Sequence, residues 1–394
     1  MKKVVLFYKR LLEVGGAERL LVNSYITFKN LGYAVDIVSY EINKKALFDC
    51  EVDEIDLIEL KSRSWVGNIL KFISYLKNNR NALILCDSGH IDMFIASKFS
   101  STSYSLHLHH PLFMSFNDFD KYSIQLSKYF NKRTKSNYGA QRFIAIRKDI
   151  NLLRQFLIDI RAYFSIKSIQ SAKNTFVLSK YAQEEKRELF GIDSKVLCGA
   201  LDENIFKYMP TNLFKKYDQY DQVILTIGRL DINKRIDVLL DAFKILINKG
   251  LNGILLIGGN GPEIENLKNQ SIRLGIDNRV EFLHFIPDNL LFDYYSRADL
   301  FVSIDWADYR ITSYEAWAMG TKVLLSNEVK YDQYFQENNY LFLTHPTSER
   351  TAQSIENTLF KEPRISRKQL NRYLSAFTWN NYNKAILKVL ENED

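Results

Sequence analysis

The sequence predicts an α/β protein with two doubly wound domains, each built on a parallel β-sheet. Short, nearly unbroken apolar runs alternate with helical runs, as expected for strands that helices cover on both faces. The alternation occurs in two successive series, and the 394 residues are about twice the ~100–200 residues of a typical domain. Apolar residues make up 46% and charged residues 25%, which excludes a disordered or fibrous chain.

The first series defines the predicted N-terminal domain, residues 1–205. Its strand-like runs are Lys3–Tyr8, Ala34–Tyr40, Glu54–Leu60, Ala82–Asp87, Ser103–Leu108 and Asn174–Ser179. Its helical runs are Ala17–Leu31, Val66–Lys77 and Ala182–Phe190. The domain boundary is expected within the polar stretch 204–221.

The second series defines the predicted C-terminal domain, residues 206–377. Its strand-like runs are Gln222–Gly228, Gly253–Gly258, Val280–Leu283, Leu300–Ile304 and Lys322–Leu325. Its helical runs are Ile236–Asn248, Glu263–Leu274, Leu290–Ser296 and Thr312–Met319. The end of the chain, 378–394, contains a predicted amphipathic helix over Asn380–Leu390.

Cysteine usage and hydropathy indicate the cellular environment in which the protein is expected. Cys50, Cys86 and Cys198 are far apart and odd in number, so neither a disulfide framework nor a zinc module is indicated. No apolar run approaches the ~18–20 residues of a membrane span, and no secretory signal follows Met1. We therefore predict a soluble, cytoplasmic protein.

The positive charge is concentrated in the segment 121–173. This segment has twelve basic and two acidic residues, 12 − 2 = +10, whereas the whole chain has 53 − 46 = +7. Many aromatic residues lie between the charges, a combination that suits an anionic surface such as lipid headgroups. A solvated helical face is the alternative, and nucleic acid is a third possibility that no recognised nucleic-acid module supports.

Two motifs of the N-terminal domain lie at strand ends. Gly15 and Gly16 precede a helical run, where a phosphate can approach the backbone and free N–H groups; a simple tight turn explains them equally well. His107 and His109 share one face of a strand by alternation, and His109 lies at its very end. No carboxylate motif accompanies these histidines, so we predict no metal site.

The loop after the first strand of the second series carries Arg229 and Lys234. At the carboxyl end of a strand, both side chains can point into a cleft between the domains and neutralise a diphosphate. Two solvated cations are the alternative. The later turn 258–262, Gly-Gly-Asn-Gly-Pro, is interpreted as structural.

Another loop carries Asp305 and Asp308 and leads into the helical run that contains Glu315. The first-turn amides of this helix would face the cleft, and Glu315 can accept hydrogen bonds from vicinal sugar hydroxyls. Stabilisation of the helix dipole is the alternative role of Glu315.

Together these motifs resemble the GT-B-fold retaining glycosyltransferases of family 4, which move a sugar from a nucleotide sugar to an acceptor. The resemblance covers nearly the whole chain. It includes G-G-A-E-R at 15–19, V-L-S-K at 177–180, G-R-L-x-x-x-K at 228–234, D-x-L-L-x-A-F at 237–243, R-V-x-F-L at 279–283, Y-S-x-A-D-L-F-V-S at 295–303 and E-A-x-A-x-G at 315–320. It implies two Rossmann-like domains facing a central cleft, with the C-terminal helix crossing back onto the N-terminal domain.

The resemblance implies a role for most residues named above. Arg229 and Lys234 match the pair that holds the donor diphosphate, and Glu315 matches the carboxylate that binds the ribose. The amides of Ile311 and Thr312 would meet the diphosphate. In the N-terminal domain, the implied site residues are Gly15 and Gly16 beside the phosphate and His109 beside the transferred sugar, with His110 as a register alternative.

Two positions depart from the family pattern. The first Glu of the family's Glu–seven residues–Glu motif is replaced by Ala307, and Arg310 replaces a glycine that usually precedes the donor-binding amides. The missing carboxylate normally contacts the donor sugar. Three explanations remain open: Asp305 or Asp308 substitutes for it, the donor sugar differs, or catalysis is weakened. We place Arg310 among the donor-binding residues.

The implied reaction is metal-independent transfer with retention of anomeric configuration, with no cofactor other than the nucleotide-sugar donor. Cationic side chains and helix amides would stabilise the departing nucleotide. The basic segment 121–173 leads us to expect an acceptor glycan on a lipid carrier at the inner membrane face, as in cell-surface polysaccharide assembly, and no nucleic-acid partner. A catalytically silent glycan-binding or partner-activating subunit is the alternative, and a nucleic-acid-binding protein is a third hypothesis.

Overall fold

The computed structural model describes residues 2–12, 16–44, 55–87, 91–108, 163–164, 166–198, 201–211, 214–305, 307, 309–338, 340–360 and 366–391. The described residues form two compact units. The first unit takes in the described residues up to 198 together with the final helix, and the second is Leu201–Thr378. Each unit contains one wholly parallel sheet together with helices, so the predicted fold class is confirmed.

The sheet of the first unit has seven strands in the order β3-β2-β1-β4-β5-β6-β7. The order reverses between β1 and β4, where Val4 pairs with Val35 on one side and with Leu83 on the other. The strands are β1 Lys3–Phe7, β2 Ala34–Ser39, β3 Leu57–Glu59, β4 Leu83–Asp87, β5 Ser105–Leu108, β6 Asn174–Val177 and β7 Lys195–Val196. The helices are α1 Gly16–Asn30, α2 Trp65–Asn78, α3 Ile91–Ser100 and α4 Lys180–Phe190.

The sheet of the second unit has six strands in the order β10-β9-β8-β11-β12-β13 and reverses between β8 and β11. Its strands are β8 Gln222–Ile227, β9 Gly253–Gly258, β10 Val280–His284, β11 Leu300–Ser303, β12 Lys322–Ser326 and β13 Leu341–Thr344. Its helices are α5 Ile236–Asn248, α6 Ile264–Arg273, α7 Asp288–Arg297, α8 Ile311–Ala318, α9 Gln333–Glu337, α10 Ser348–Phe360 and α11 Arg367–Leu374.

Both faces of the second sheet are buried, which explains its unbroken apolar strands. Val223 and Leu225 of β8 belong to one core cluster, with Trp317 of α8, whereas Ile224 belongs to the opposite cluster, with Phe243 of α5. Successive side chains of a strand point to opposite faces, so a strand between two helical layers has no polar side.

The final helix, α12 Trp379–Leu390, packs within the first unit. Its Tyr382 hydroxyl lies 2.6 Å from Nε2 of His107 on β5, and the Ser24 hydroxyl of α1 donates to Asn383 Oδ1 at 2.7 Å. His107 is therefore a buried partner of a tyrosine, only 5% exposed. In the part of the chain that the structure describes, no helix is long and apolar enough to cross a membrane.

The sequence patterns did not identify several elements that the structure contains. Helix α3 has apolar residues on most of its sides, so its sequence shows no helical period. Strand β7 has only two residues, too few for any pattern, and strand β13 was also not predicted. Helices α9, α10 and α11 lie in the same overlooked C-terminal stretch as β13, where long apolar runs are absent from the sequence.

Candidate functional site

The polar residues of the second unit that the sequence singled out lie beyond the ends of two adjacent strands, β8 and β11. Sheet order reverses at these strands, because connections from β8 run toward β10 and those from β11 run toward β13. The carboxyl ends of the strands at such a reversal form the usual ligand-binding crevice of an open α/β sheet. The two loops that carry Arg229, Lys234 and Asp305 therefore meet at one edge.

The loop after β8 is held in shape by its own polar groups. Asp231 Oδ1 accepts from the Asn233 amide at 2.9 Å and begins a 3-10 turn over Ile232–Lys234. Arg235 follows with φ of +53°, and its buried guanidinium donates to the Ile304 carbonyl at 2.9 Å and pairs with Glu328. These bonds connect the loop to the neighbouring strands. They therefore fix the backbone position from which the Lys234 side chain extends.

Asp305 is the centre of a buried ionic cluster at this edge. Its Oδ2 lies 2.7 Å from Nζ of Lys234, and its Oδ1 accepts from Nε of Arg310 at 2.5 Å and from the Ser303 hydroxyl at 2.8 Å. Arg310 also donates from Nη2 to the Asp305 carbonyl at 2.6 Å. Asp305 is only 2% exposed, so both carboxylate oxygens are used inside the protein.

The cluster controls the ionisation of Asp305. Burial by itself would raise the pKa of this carboxyl, because desolvation disfavours the charged form. The positive charges of Arg310 and Lys234, together with their hydrogen bonds, outweigh burial and hold the pKa of Asp305 well below its usual range. Asp305 is therefore a carboxylate at neutral pH and keeps both cations in place.

The cationic side chains of the site differ in how far they are exposed to a ligand. Arg310 is buried, with 5% of its side chain exposed, whereas Lys234 keeps 26% of its side chain exposed. Arg229, two residues beyond β8, is exposed. The three cations Arg229, Lys234 and Arg310 are matched in number by the carboxylates of Asp305, Asp231 and Glu315 at this edge, 3 − 3 = 0. The exposed guanidinium of Arg229 and the partly exposed ammonium of Lys234 are the positive groups that a bound anion can reach.

Helix α8 brings two further predicted elements to the same edge. Ile311 and Thr312 are its first residues, and the first-turn N–H groups of a helix have no intrahelical acceptor. Glu315, one turn later, is 3% exposed and accepts from the Tyr295 hydroxyl at 2.9 Å. The carboxylate of Glu315 is thus held by a tyrosine of α7.

The glycine turn after β9 has a structural role, as the sequence analysis interpreted it. Gly259 has φ of +115°, and a Cβ at this residue would come within 1.9 Å of the Gly228 carbonyl oxygen. A Cβ at Gly261 would come within 2.2 Å of the Leu230 carbonyl oxygen. These glycines let the turn pack directly on the Arg229 loop.

Three predicted site residues, Gly15, His109 and Asp308, lie outside the described residues. Gly16 begins α1, as expected for a glycine at the start of a helix. Within the described ranges, no group of three His, Cys, Asp or Glu side chains is placed to hold a metal ion, and neither Cys86 nor Cys198 is in a disulfide.

Sequence reasoning missed the partners that hold the predicted residues in place. Neither Ser303 nor Tyr295 was selected, and the buried Arg235–Glu328 pair was also missed. Two of these carry a weak signal in the sequence, since Ser303 is a polar residue within the apolar run Leu300–Ile304 and Arg235 directly follows Lys234. The pairing itself depends on which strands are adjacent.

Comparisons with known proteins define the class of the protein. Residues 211–377 match the family model described as Glycosyl transferases group 1. The chain is 22% identical to mannosylfructose-phosphate synthase of Agrobacterium fabrum, over 92% of this chain and 83% of that protein. It is 24% identical to alpha-monoglucosyldiacylglycerol synthase of Streptococcus pneumoniae, over 42% of this chain and 38% of that protein.

A solved structure agrees with these matches. The crystal structure of Anabaena HepE in complex with UDP has a TM-score of 0.72 to this protein, with 18% identity and full coverage of both chains. Residues 211–377 thus form a group 1 glycosyltransferase domain, which confirms the resemblance to GT-B glycosyltransferases. The matches and the fold together support a glycosyltransferase.

Proposed function

We propose that the protein transfers a sugar from a nucleotide-diphosphate sugar, with retention of anomeric configuration, to a glycan acceptor on a lipid carrier. The observation that carries the donor assignment is the cationic cluster around Lys234, Asp305 and Arg310 at the ends of β8 and β11. A diphosphate suits two cationic side chains beside the first amides of a helix, and the complex of HepE with UDP makes uridine diphosphate sugars the donors to test first.

In this proposal the chain acts mainly on the leaving group. The bond between the sugar C1 and the diphosphate oxygen breaks, and C1 bonds to the acceptor oxygen. The acceptor proton passes to the departing diphosphate. Lys234, Arg229 and the first amides of α8 stabilise the negative charge on that diphosphate, while Glu315 receives the ribose hydroxyls. No metal ion is needed for this charge stabilisation.

The contacts of Asp305 argue against one explanation of the missing glutamate at position 307, the substitution of that glutamate by Asp305. Lys234, Arg310 and Ser303 occupy the Asp305 carboxylate, so we assign it to positioning the two cations rather than to contacting the sugar. Asp308 is then the remaining candidate for a substitute acid, and a donor sugar that does not need a carboxylate at this position is the other explanation.

The experiment compares UDP binding and sugar transfer in the wild type and in the Arg229→Ala/Lys234→Ala double variant. We expect UDP to raise the melting temperature of the wild type, because a bound ligand stabilises the folded state. The double variant should lose both this shift and UDP release from UDP-sugars. Lys249→Ala, at an exposed pair with Glu356, is the matched control. Normal turnover in the double variant would refute the leaving-group assignment.

A lipid-linked acceptor is supported by the described part of the basic segment, residues 163–164 and 166–173. Lys167 Nζ lies 5.7 Å from the ring centre of Tyr163, which is 50% exposed. The neighbouring helix α3 places Lys98 5.7 Å from the ring centre of Phe94 and leaves Phe99 67% exposed. Cations beside exposed aromatic rings suit an anionic lipid surface and peripheral membrane association.

A second candidate function is a catalytically silent glycan-binding or partner-activating subunit. Ala307 and the engagement of Asp305 favour it, because no carboxylate among the described residues of this loop is available for the donor sugar. Release of UDP from a UDP-sugar by the wild type would exclude this alternative. Glycan binding without UDP release would support it.

A further inference from the structure

Arg235, directly after Lys234, has an unusual backbone conformation. It stands between the 3-10 turn Ile232–Lys234 and helix α5, with φ of +53° and ψ of +34°. A Cβ disfavours this left-handed region, and glycine is its usual occupant. Among the described residues, only Ser101, Arg235 and His284 combine a side chain with a positive φ. A residue keeps such a conformation where its surroundings impose it, and such residues cluster at functional sites.

The Arg235 side chain supplies this constraint. Its guanidinium is buried, and Nη1 donates to the Ile304 carbonyl at 2.9 Å and to the carboxylate of Glu328. Ile304 directly precedes Asp305, the partner of Lys234. Arg235 therefore holds both ends of the Lys234–Asp305 pair, one through its own backbone and the other through its side chain.

Glu328 connects a third strand to this arrangement. It lies two residues after β12, is 6% exposed, and accepts at Oε2 from Arg235 and from the Ser326 hydroxyl at 3.0 Å. Strand β12 is the neighbour of β11 in the sheet. A buried guanidinium needs a counter-charge, because desolvation of an uncompensated charge is costly. Glu328 therefore keeps Arg235, and with it the Lys234 loop, in place.

Stability gives little reason for a buried ion pair at this position. The desolvation of two charges costs about as much as their attraction returns, and an apolar pair of the same size is often equally stable. The ionic pair adds a defined geometry, since a guanidinium donates in fixed directions. Geometry matters at this position because the constrained loop carries Lys234.

We propose that Arg235 and Glu328 are positioning residues for the donor, which act through Lys234 without contacting the ligand. The Lys234 ammonium has three N–H donors, and Asp305 accepts from one of them. A second can reach a phosphate oxygen while the ammonium stays where it is. Fixing a long side chain before the ligand arrives reduces the ordering entropy that binding must offset. The inference rests on the proposed function in taking a diphosphate as the ligand of Lys234.

The experiment is a double-mutant cycle on UDP affinity, measured by ligand-observed NMR, which detects weak complexes. Glycine accepts a positive φ, so Arg235→Gly removes the guanidinium without adding backbone strain. We expect Arg235→Gly to bind UDP about tenfold more weakly than the wild type. In the Lys234→Ala background, the same substitution should cause no further loss. Equal losses in both backgrounds, or wild-type affinity in Arg235→Gly, would overturn the proposal.

Glu328→Gln separates positioning from stability. This variant leaves the Arg235 charge buried without its counter-ion, so the melting temperature should fall. Arg235→Gly/Glu328→Gln has no buried charge left at this pair and should regain part of the melting temperature, while its UDP affinity stays low. UDP affinity that recovers together with the melting temperature would show that the pair serves stability alone.

Arg279→Gln is the matched control. Arg279 is a half-buried arginine at the amino end of β10 and donates to Asn252 at 2.9 Å, so its variant should bind UDP like the wild type.

The same cycle with pyrophosphate keeps this inference distinct from the donor assignment. A wild type that binds pyrophosphate but not UDP would refute the uridine donor, and the pyrophosphate cycle would then decide the positioning role. Binding of neither ligand by the wild type would overturn both proposals.

Discussion

The ammonium of Lys234 lies 2.7 Å from the carboxylate of Asp305, 71 residues later in the chain. The pair connects the loops that follow two adjacent strands, and Arg310 occupies the other carboxylate oxygen. Asp305 therefore links a partly exposed cation to a buried one. Its removal should affect both stability and donor binding.

Asp305→Asn should destabilise the protein by about 3–5 kcal/mol at neutral pH, because it leaves the buried Arg310 without a counter-charge. The pKa of Asp305 is lowered on folding from 3.8, so its stabilising effect is complete above that value and is lost as pH falls below it. Urea unfolding from about pH 3 to pH 7 should therefore show a difference between wild type and variant that shrinks only at the acid end.

The control for this measurement is Glu356→Gln, at the exposed pair with Lys249, which should change stability by less than about 1 kcal/mol. A constant difference between wild type and Asp305→Asn across the whole pH range would contradict the assigned ionisation.

Gly259→Ala should be severely destabilising. The new Cβ would come within 1.9 Å of the Gly228 carbonyl oxygen, and the backbone has φ of +115°. We expect a loss beyond about 3 kcal/mol in urea unfolding, since both strain and a clash with backbone apply. Gly275→Ala is the matched control, because Gly275 has φ of +64° with open space around its Cβ and should lose only about 1–2 kcal/mol. Equal losses would show that the close packing of the two loops is not needed.

Glu315→Gln should weaken UDP binding without weakening pyrophosphate binding, since the proposed partner of Glu315 is the ribose. A lost charge-assisted hydrogen bond corresponds to a drop in affinity of about tenfold or more. Calorimetric titration with UDP and with pyrophosphate measures both. Arg229→Ala/Lys234→Ala should weaken the two ligands alike. An equal loss of both ligands in Glu315→Gln would refute the ribose assignment.

Lys98→Gln/Lys167→Gln should reduce binding to vesicles that contain anionic lipid. Each lysine near such a surface contributes about 1 kcal/mol, so the partition coefficient should fall by about thirtyfold. Vesicle flotation with and without anionic lipid measures this, and added salt should abolish the binding. Lys249→Gln, in the second unit, is the control. Binding that does not depend on anionic lipid would contradict the proposed membrane contact.

Much of the fold follows from local patterns. Strands such as β9 Gly253–Gly258 and helices such as α5 Ile236–Asn248 have the predicted bounds, because uninterrupted burial gives a clear apolar run or a clear helical period. Helix α3 was not predicted, since burial on several sides removes its period. The very short strand β7 was missed because two residues carry no pattern.

The candidate site was also predicted from the sequence only in part. Arg229, Lys234 and Asp305 were selected because each follows an apolar run, and a strand end can be recognised locally. Asp305 was selected as a possible acid for the donor sugar, whereas the structure surrounds it with Lys234, Arg310 and Ser303. Nothing in the local sequence indicates these contacts.

The sequence by itself determined that the chain has two parallel-sheet units and which residues lie at the ends of their strands, because burial and backbone geometry act over a few neighbouring positions. Only the tertiary structure decided which of those ends lie side by side. Crossover connections place β11 against β8 and β4 against β1, and these adjacencies bring Asp305 to Lys234 and Asp92 to Lys9. Ion pairing falls off steeply with distance, so both pairs depend on this strand order.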